Sequence, residues 1–326
     1  MSIQLSLACG DYEITRPIVE GRVQLEGIDL TVLTDDKERF FRLDRRRECD
    51  ISELNILQYF RSRELSDEFV ALPIFLHRRF RHSSIFVNEH AGIRTPEDLK
   101  GRKVGIGGVE PAAAIWIRGI LNDDYGVGQD DVDWIDVFGR FGRIPDGWDQ
   151  PLGFEDGRNR LRIDQMLVDG DLAATVSAYN PPTFGQQGSP VRRLFEDFLE
   201  VELDYYRRTK IFPIMHVLTV KRDVIERYPW APASIAAGFA EAKRIATERL
   251  RDPRVMPLSI WQWALQLQRE VMGPDPWRYG LDDSNRAAVQ TAIRYCYEQG
   301  LTTTMPSVES LFVQTDDYSE FSKHPV

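Results

Sequence analysis

Apolar and polar positions alternate along Gln4 to Ala8 and again along Ile28 to Leu33, the period of two that a half-buried strand requires. Between them, Cys9-Gly10-Asp11-Tyr12-Glu13-Ile14-Thr15-Arg16-Pro17 reads as a turn leading into a helix. Lys37 to Arg46 reads as a charged helix. Cys49 to Asn55 reads as a short strand ending in polar residues that start another helix, with Ser52 as its N-cap. Ser84 to Asn88 alternates as a strand. Thr95-Pro96-Glu97-Asp98-Leu99-Lys100-Gly101 combines an N-cap, a proline at the first helical position and a terminal glycine, which predicts one short helix. Lys103 to Ile106 follows as a strand, and Gly107 to Pro111 leads into an apolar helix over Ala112 to Leu121. Further on, the pattern predicts a helix over Ile163 to Val168, a strand over Leu172 to Ser177, a helix over Leu194 to Thr209 and an apolar run over Lys210 to Val220. The rest is mostly helical, with long segments at Pro229 to Leu250, Leu258 to Met272 and Asp283 to Gln299.

Strands that alternate with helices define an α/β chain. The strand Ser84 to Asn88 and the run Lys210 to Val220 read as two crossings between lobes. They divide the chain into a discontinuous lobe of residues 1–88 plus 215–326 and a second lobe of residues 89–214. Two α/β lobes joined by two crossings, with a C-terminal helical segment, resemble the periplasmic-binding-protein type II architecture. Ligands of such sheets are expected at the loops after strand carboxyl ends.

Composition narrows the partners. The 326 residues carry a formal charge of -10, which argues against a general nucleic-acid or anionic-membrane surface and leaves any basic cluster a local purpose. No apolar window approaches a membrane span, and a strand-like run begins just after Met1 with no secretory leader, so a cytoplasmic location is expected. Cys9, Cys49 and Cys296 show no C-x-x-C spacing and read as reduced thiols, Cys9 as a small buried hydrophobe with a reactive thiol as the alternative. The long C-terminal helices can brace the first lobe or form a contact in a homo-oligomer, with Trp261, Trp263 and Trp277 assigned to core or interface packing.

Phe75 to Asn88 is the densest stretch of candidate chemistry. It places Arg78, Arg79, Arg81 and His82 before a strand, combining fork-shaped carboxylate donors with a proton carrier. Ordinary ion pairing is the bland alternative for each arginine. Tyr12, Thr15 and Arg16 follow the first strand and are candidate cleft residues. Glu53 and Asn55 project near the same crevice, where a carboxylate can accept a phenolic proton; placement in a first helical turn is the alternative for Glu53. The Gly107-Gly108 turn ahead of a helix offers backbone amides to an anion, with Arg118 two turns into that helix and Trp116 assigned to core. Asn180, before two prolines, is either a ligand contact or a turn residue. Gly139 to Arg162 reads as a lid candidate carrying Arg140 and Arg143, and His216 sits inside an apolar run as either a core or a functional residue. There is no complete G-x-G-x-x-G and no P-loop, and His77, His82, His90 and His216 show no metal-binding spacing.

Several segments together resemble the 4,5-dihydroxyphthalate decarboxylase family, and the resemblance runs over nearly the whole chain. They are Cys9-Gly10-Asp11-Tyr12, Val23 to Leu30, Ser52-Glu53-Leu54, Phe80 to Asn88, Pro96 to Val104, Trp116 to Leu121, Ile211 to His216, and Met272-Gly273-Pro274-Asp275-Pro276-Trp277. Gly107 to Ala112 departs from the more polar stretch of that family. The resemblance implies cofactor-free, non-oxidative decarboxylation of a hydroxylated aromatic dicarboxylate to protocatechuate and CO2. With that chemistry, His82 or His216 is the acid, Glu53 the base for the phenol, and Arg81, Ser83, Ser84 and the Gly108 amide region the carboxylate anchors, with Tyr12, Arg16, Asn55, Arg118 and Asn180 as further contacts. A solute-binding protein that captures an aromatic acid without turnover is the alternative from another class, since fold does not fix function. A metal-dependent route and an enzyme acting on pyrimidine-type cofactor precursors are the others.

Overall fold

The structure, a computed structural model, describes residues 2–33, 48–107, 111–136 and 158–313. Its strands are β1 (Ile3–Ala8), β2 (Ile28–Leu33), β3 (Ile51–Asn55), β4 (Phe69–Ala71), β5 (His77–Arg78), β6 (Ile85–Asn88), β7 (Lys103–Gly107), β8 (Asp133–Asp136), β9 (Ala174–Ser177), β10 (Val191–Arg193) and β11 (Ile214–Lys221). The chain forms two compact units. One comprises residues 1–79, 206–293 and 302–326, and the other residues 80–205 and 294–301.

In the first unit the strand order is β2-β1-β3-β11-β4, with β5 also paired to β11. β1 lies parallel to β2 and β3, whereas β11 runs antiparallel to β3, β4 and β5. Leu5, Leu7, Ile51, Leu218 and Val220 supply the sheet side of its core, and Ile235 and Phe239 of the helix Ala231–Leu250 belong to the same cluster. Removal of this apolar surface from water is the main stabilising term. The second unit has the order β10-β6-β9-β7-β8, in which β7 lies parallel to both β8 and β9 and the other pairs are antiparallel. Its core joins Ile85, Val104 and Val176 of the sheet to Ile117 and Leu121 of the helix Pro111–Tyr125.

Several local expectations change for identifiable reasons. Ser52 is a strand residue rather than an N-cap, because Thr219 Oγ1 donates to the Ser52 carbonyl at 2.9 Å and the ladder with β11 runs on to Asn55. Asn55 is the cap instead, its side-chain oxygen accepting from the Leu57 and Gln58 amides at 3.1 and 3.3 Å. The helix expected from Leu194 starts at Phe198, since residues 191–193 are drawn into an antiparallel pair with β6. The chain passes between units at 79/80, 205/206, 293/294 and 301/302. The charged helix at Lys37 to Arg46 lies outside the described residues, as does residues 139–157 of the lid candidate.

In the second unit Trp116 is buried edge-on to Tyr295 at 5.4 Å, and a Cβ on Gly119 would overlap the Tyr295 ring. The Tyr295 hydroxyl donates to Asp123 at 2.7 Å, and Arg294 pairs with the same carboxylate at 2.5 Å. Partial burial pushes the Asp123 carboxyl up, but the bonds from Arg294 and Tyr295 outweigh it and hold the group below the usual carboxylate range. A depressed folded-state pKa adds stability above the ordinary value of about 3.9 and loses it as pH falls below that value. Asp123→Asn is therefore expected to cost about 1 kcal/mol at pH 7, a modest figure because the pair is partly exposed. The difference from wild type should shrink below about pH 4. Urea midpoints of both proteins at pH 7 and pH 3 check this.

Candidate active site

β3 and β11 are antiparallel neighbours in the first unit, with Glu53 opposite Leu218 and Asn55 opposite His216. Side chains two apart on a strand share a face, so Glu53 and His216 are diagonal neighbours across the ladder. Their side chains meet. His216 Nδ1 lies 2.5 Å from Glu53 Oε1, and the two side chains are 2% and 0% exposed.

The loop after β1 completes the carboxylate's surroundings. Gly10 donates its amide to Glu53 Oε2 at 2.7 Å, and Tyr12 donates its hydroxyl to Oε1 at 2.7 Å. The loop is folded on itself, with the Tyr12 amide donating to Thr15 Oγ1 at 2.9 Å, the Thr15 hydroxyl donating to the Gly10 carbonyl, and the Arg16 amide donating to the Tyr12 carbonyl at 2.8 Å. Gly10 is required by shape, because a Cβ there would overlap the Tyr12 ring. A buried carboxylate is tolerated only when hydrogen-bonded or paired, and Gly10, Tyr12 and His216 meet that condition.

His77, weighed in the sequence only for metal spacing, joins this group. β5 pairs with β11 so that His77 stands opposite His216, and the two rings meet edge-on at 4.9 Å. Tyr12 stacks on the other side of His77 at 6.0 Å. Tyr12 and His77 also line a cavity of about 890 Å³, which Thr247, Trp261 and Trp277 line as well. The next residue, Arg78, is structural. Its guanidinium donates to Asn285 Oδ1 at 2.5 Å and to the carbonyls of Arg278 and Phe212 at 3.2 and 3.3 Å, while burial pulls its pKa down to about 10.

The remaining sequence candidates fall into separate settings. Arg16 is committed to Asp11 at 3.0 Å and Glu13 at 2.5 Å, and the Asn55 side chain to its helix cap. In the second unit, His82 is buried in a short turn with its ring against Tyr205 at 5.2 Å and Phe195 at 5.6 Å. The Ser83 amide donates to Glu202 at 2.9 Å and its carbonyl accepts from Arg193 Nε at 3.0 Å. Arg193 also reaches Asn180 Oδ1 at 3.1 Å, so Ser83 and Asn180 share one network. Arg81 and Ser84 are buried in the same turn, with the Ser84 amide donating to the Arg81 carbonyl at 3.0 Å. Arg118 lies over the Trp134 ring at 5.0 Å, its pKa drawn down to about 10 by burial. Gly108 lies outside the described residues.

Among the described residues, no group of three or more His, Cys, Asp or Glu side chains is arranged to hold a metal ion, and no helix is long and apolar enough to cross a membrane. The chemistry that Glu53, His216, Tyr12 and His77 can do is proton transfer.

Comparison with known proteins accords with this picture in two steps. The fold is α/β and of the periplasmic-binding-protein type II kind. It is shared with the periplasmic aliphatic sulphonate binding protein SsuA of Escherichia coli, 14% identical, TM-score 0.57, covering 99% of this chain and 100% of that one. It is shared also with a sulfonate-binding SsuA protein of Methylobacillus flagellatus, 13% identical, TM-score 0.60, covering 96% of this chain and 92% of that one. In sequence, the chain is 31% identical over 327 residues to a 4,5-dihydroxyphthalate decarboxylase of Comamonas testosteroni, spanning 95% of this chain and 96% of its relative. A Pseudomonas putida protein of the same name is 32% identical over 211 residues, 63% of this chain and 82% of that protein. No family model matches the chain. The chain belongs to the 4,5-dihydroxyphthalate decarboxylase family.

Truncating Glu53 removes the acceptor shared by buried donors. Glu53→Ala is expected to lower stability by about 3 kcal/mol, and Glu53→Gln by less because the amide oxygen still accepts. Equal urea midpoints for wild type and Glu53→Ala would show that the carboxylate does not hold the site together.

Proposed function

We propose that the protein is a non-oxidative aromatic carboxy-lyase that converts 4,5-dihydroxyphthalate to protocatechuate and CO2. The observation that carries this reading is the buried Glu53 and His216 pair at 2.5 Å, in a chain whose curated relatives bear the decarboxylase name.

The reaction defines what the site must do. Cleaving a ring carboxylate directly would leave an aryl carbanion. Each carboxylate-bearing carbon of the substrate is para to a hydroxyl, and once that hydroxyl ionises it pushes electron density onto the carbon, which then accepts a proton. The bond to the carboxylate breaks next, its electron pair restores the aromatic ring, and CO2 leaves. One proton is consumed at carbon and the phenolate is reprotonated afterwards, so no electron acceptor is required.

His216 suits the role of acid. Its Nδ1 faces Glu53, so the proton for carbon is delivered from Nε2. Glu53 acts through His216. With both oxygens turned to Gly10, Tyr12 and His216, it is a positioning residue rather than a base that touches the phenol. His82, packed against Phe195 and Tyr205, is the comparison histidine.

Purified protein supplied with 4,5-dihydroxyphthalate is expected to release protocatechuate and CO2. His216→Gln should lower kcat by roughly 100-fold or more while protocatechuate still binds, and His82→Gln should leave kcat within a few fold. A wild-type protein that gains melting temperature with the acid but releases no CO2 would be a solute-binding protein instead.

A further inference from the structure

The helix Trp261–Met272 is rich in apolar residues, yet Met272 is the one residue of it that is buried. Trp263 is 73% exposed. A packed helix hides an apolar stripe against its neighbour, so this one is short of a partner. Residues of this helix line the cavity of about 890 Å³ that Tyr12 and His77 also line. That volume lies within the ordinary range for small-molecule sites, roughly 300 to 1,000 Å³.

The cavity has both ring walls and cations. Trp261 and Trp277 line it, and both are held in place. The Trp261 indole N–H donates to the Leu250 carbonyl at 3.0 Å, and Trp277 packs edge-on to Phe212 at 5.6 Å. Arg251 and Arg269 line it as well, and neither has an ion-pair partner among the described residues. Their neighbours in sequence behave differently, for Arg244, Arg249 and Arg254 all pair with carboxylates. Acidic groups in the lining do not fully offset the two arginines. Glu13 is already engaged by Arg16 and Arg249 and Asp275 by Lys243 at 2.5 Å, which leaves Glu270, bonded by the neutral Gln266 amide at 2.8 Å, as one carboxylate against two guanidinium groups. Two unspent guanidinium groups in a protein of net charge -10 mark a place for an anion.

We propose that this cavity is the chamber that binds the aromatic acid, with Arg251 and Arg269 anchoring its carboxylate and Tyr12, His77, Trp261 and Trp277 enclosing its ring. The proposal deepens the decarboxylase reading and rests on it for the identity of the acid. Tyr12 links the two, because its ring lines the cavity and its hydroxyl donates to Glu53. A guanidinium fork matches a carboxylate, and aromatic side chains match a planar ring.

Arg251 and Arg269 are exposed, so their replacement by glutamine is expected to leave the melting temperature unchanged. Tryptophan fluorescence titrations with protocatechuate, which has a carboxylate, and with catechol, which has the ring alone, separate the contributions. Arg251→Gln and Arg269→Gln should each weaken protocatechuate by roughly tenfold and leave catechol unchanged, and Trp261→Ala should weaken both. With 4,5-dihydroxyphthalate the arginine variants should raise KM more than they lower kcat. Unaltered dissociation constants and KM in both arginine variants would overturn the proposal, even in an enzyme that turns over normally. Failure of the wild type to decarboxylate, with the arginine-dependent affinity for protocatechuate retained, would overturn the decarboxylase reading instead. A loss of sedimenting mass in Trp261→Ala with ligand affinity intact would assign this face to a contact between copies, and would overturn the chamber.

Discussion

The buried carboxylate of Glu53 is the constraint on which the candidate site depends. A charge fully removed from water persists only where donors replace the water, and here they come from distant parts of the chain: the Gly10 amide, the Tyr12 hydroxyl and the His216 ring. Meeting that demand fixes the loop after β1, the register between β3 and β11, and the orientation of His216 at once. His77 is then set by β5, whose register on β11 brings it against His216. The cluster is thus held by the central strands of a sheet.

Family membership and fold answer different questions. The likeness to sulfonate-binding proteins at 13% and 14% identity concerns the backbone architecture, and such architectures host unrelated functions. What separates a proton-transfer site from a simple ligand cradle is local. An arginine or an amide suffices to hold an acid, whereas an imidazole backed by a buried carboxylate can hand over a proton.

The strands were legible where alternation is strong. Ile28 to Leu33 occupies the expected span, and Cys49 to Asn55 was legible as a strand that leads into a helix. Polar periodicity alone could not tell Ser52 from Asn55 as the cap, because the choice depends on how far the ladder with β11 extends. Glu53, Tyr12 and His216 were legible as residue types beside strand ends. Their meeting was not, for Glu53 and His216 stand 163 positions apart and touch only through strand register. His77 lies in a strand of two residues, too short to carry a period. Trp261 and Trp277 were assigned to core or interface because large aromatics mostly supply buried area, and that rule has no means of seeing a cavity. Arg251 and Arg269 were invisible for a related reason. In a chain with many arginines, which of them lacks a carboxylate partner is decided by the fold.

The missing side chain at Gly10 has a genetic consequence. Its amide must reach Glu53 while the Tyr12 ring occupies the space where a Cβ would stand. Positions 10 and 12 are therefore epistatic. A lineage that enlarges residue 10 has first to shrink or turn residue 12, and doing so withdraws the hydroxyl that Glu53 accepts. The order in which substitutions can accumulate around this carboxylate is restricted by one hydrogen atom's worth of room.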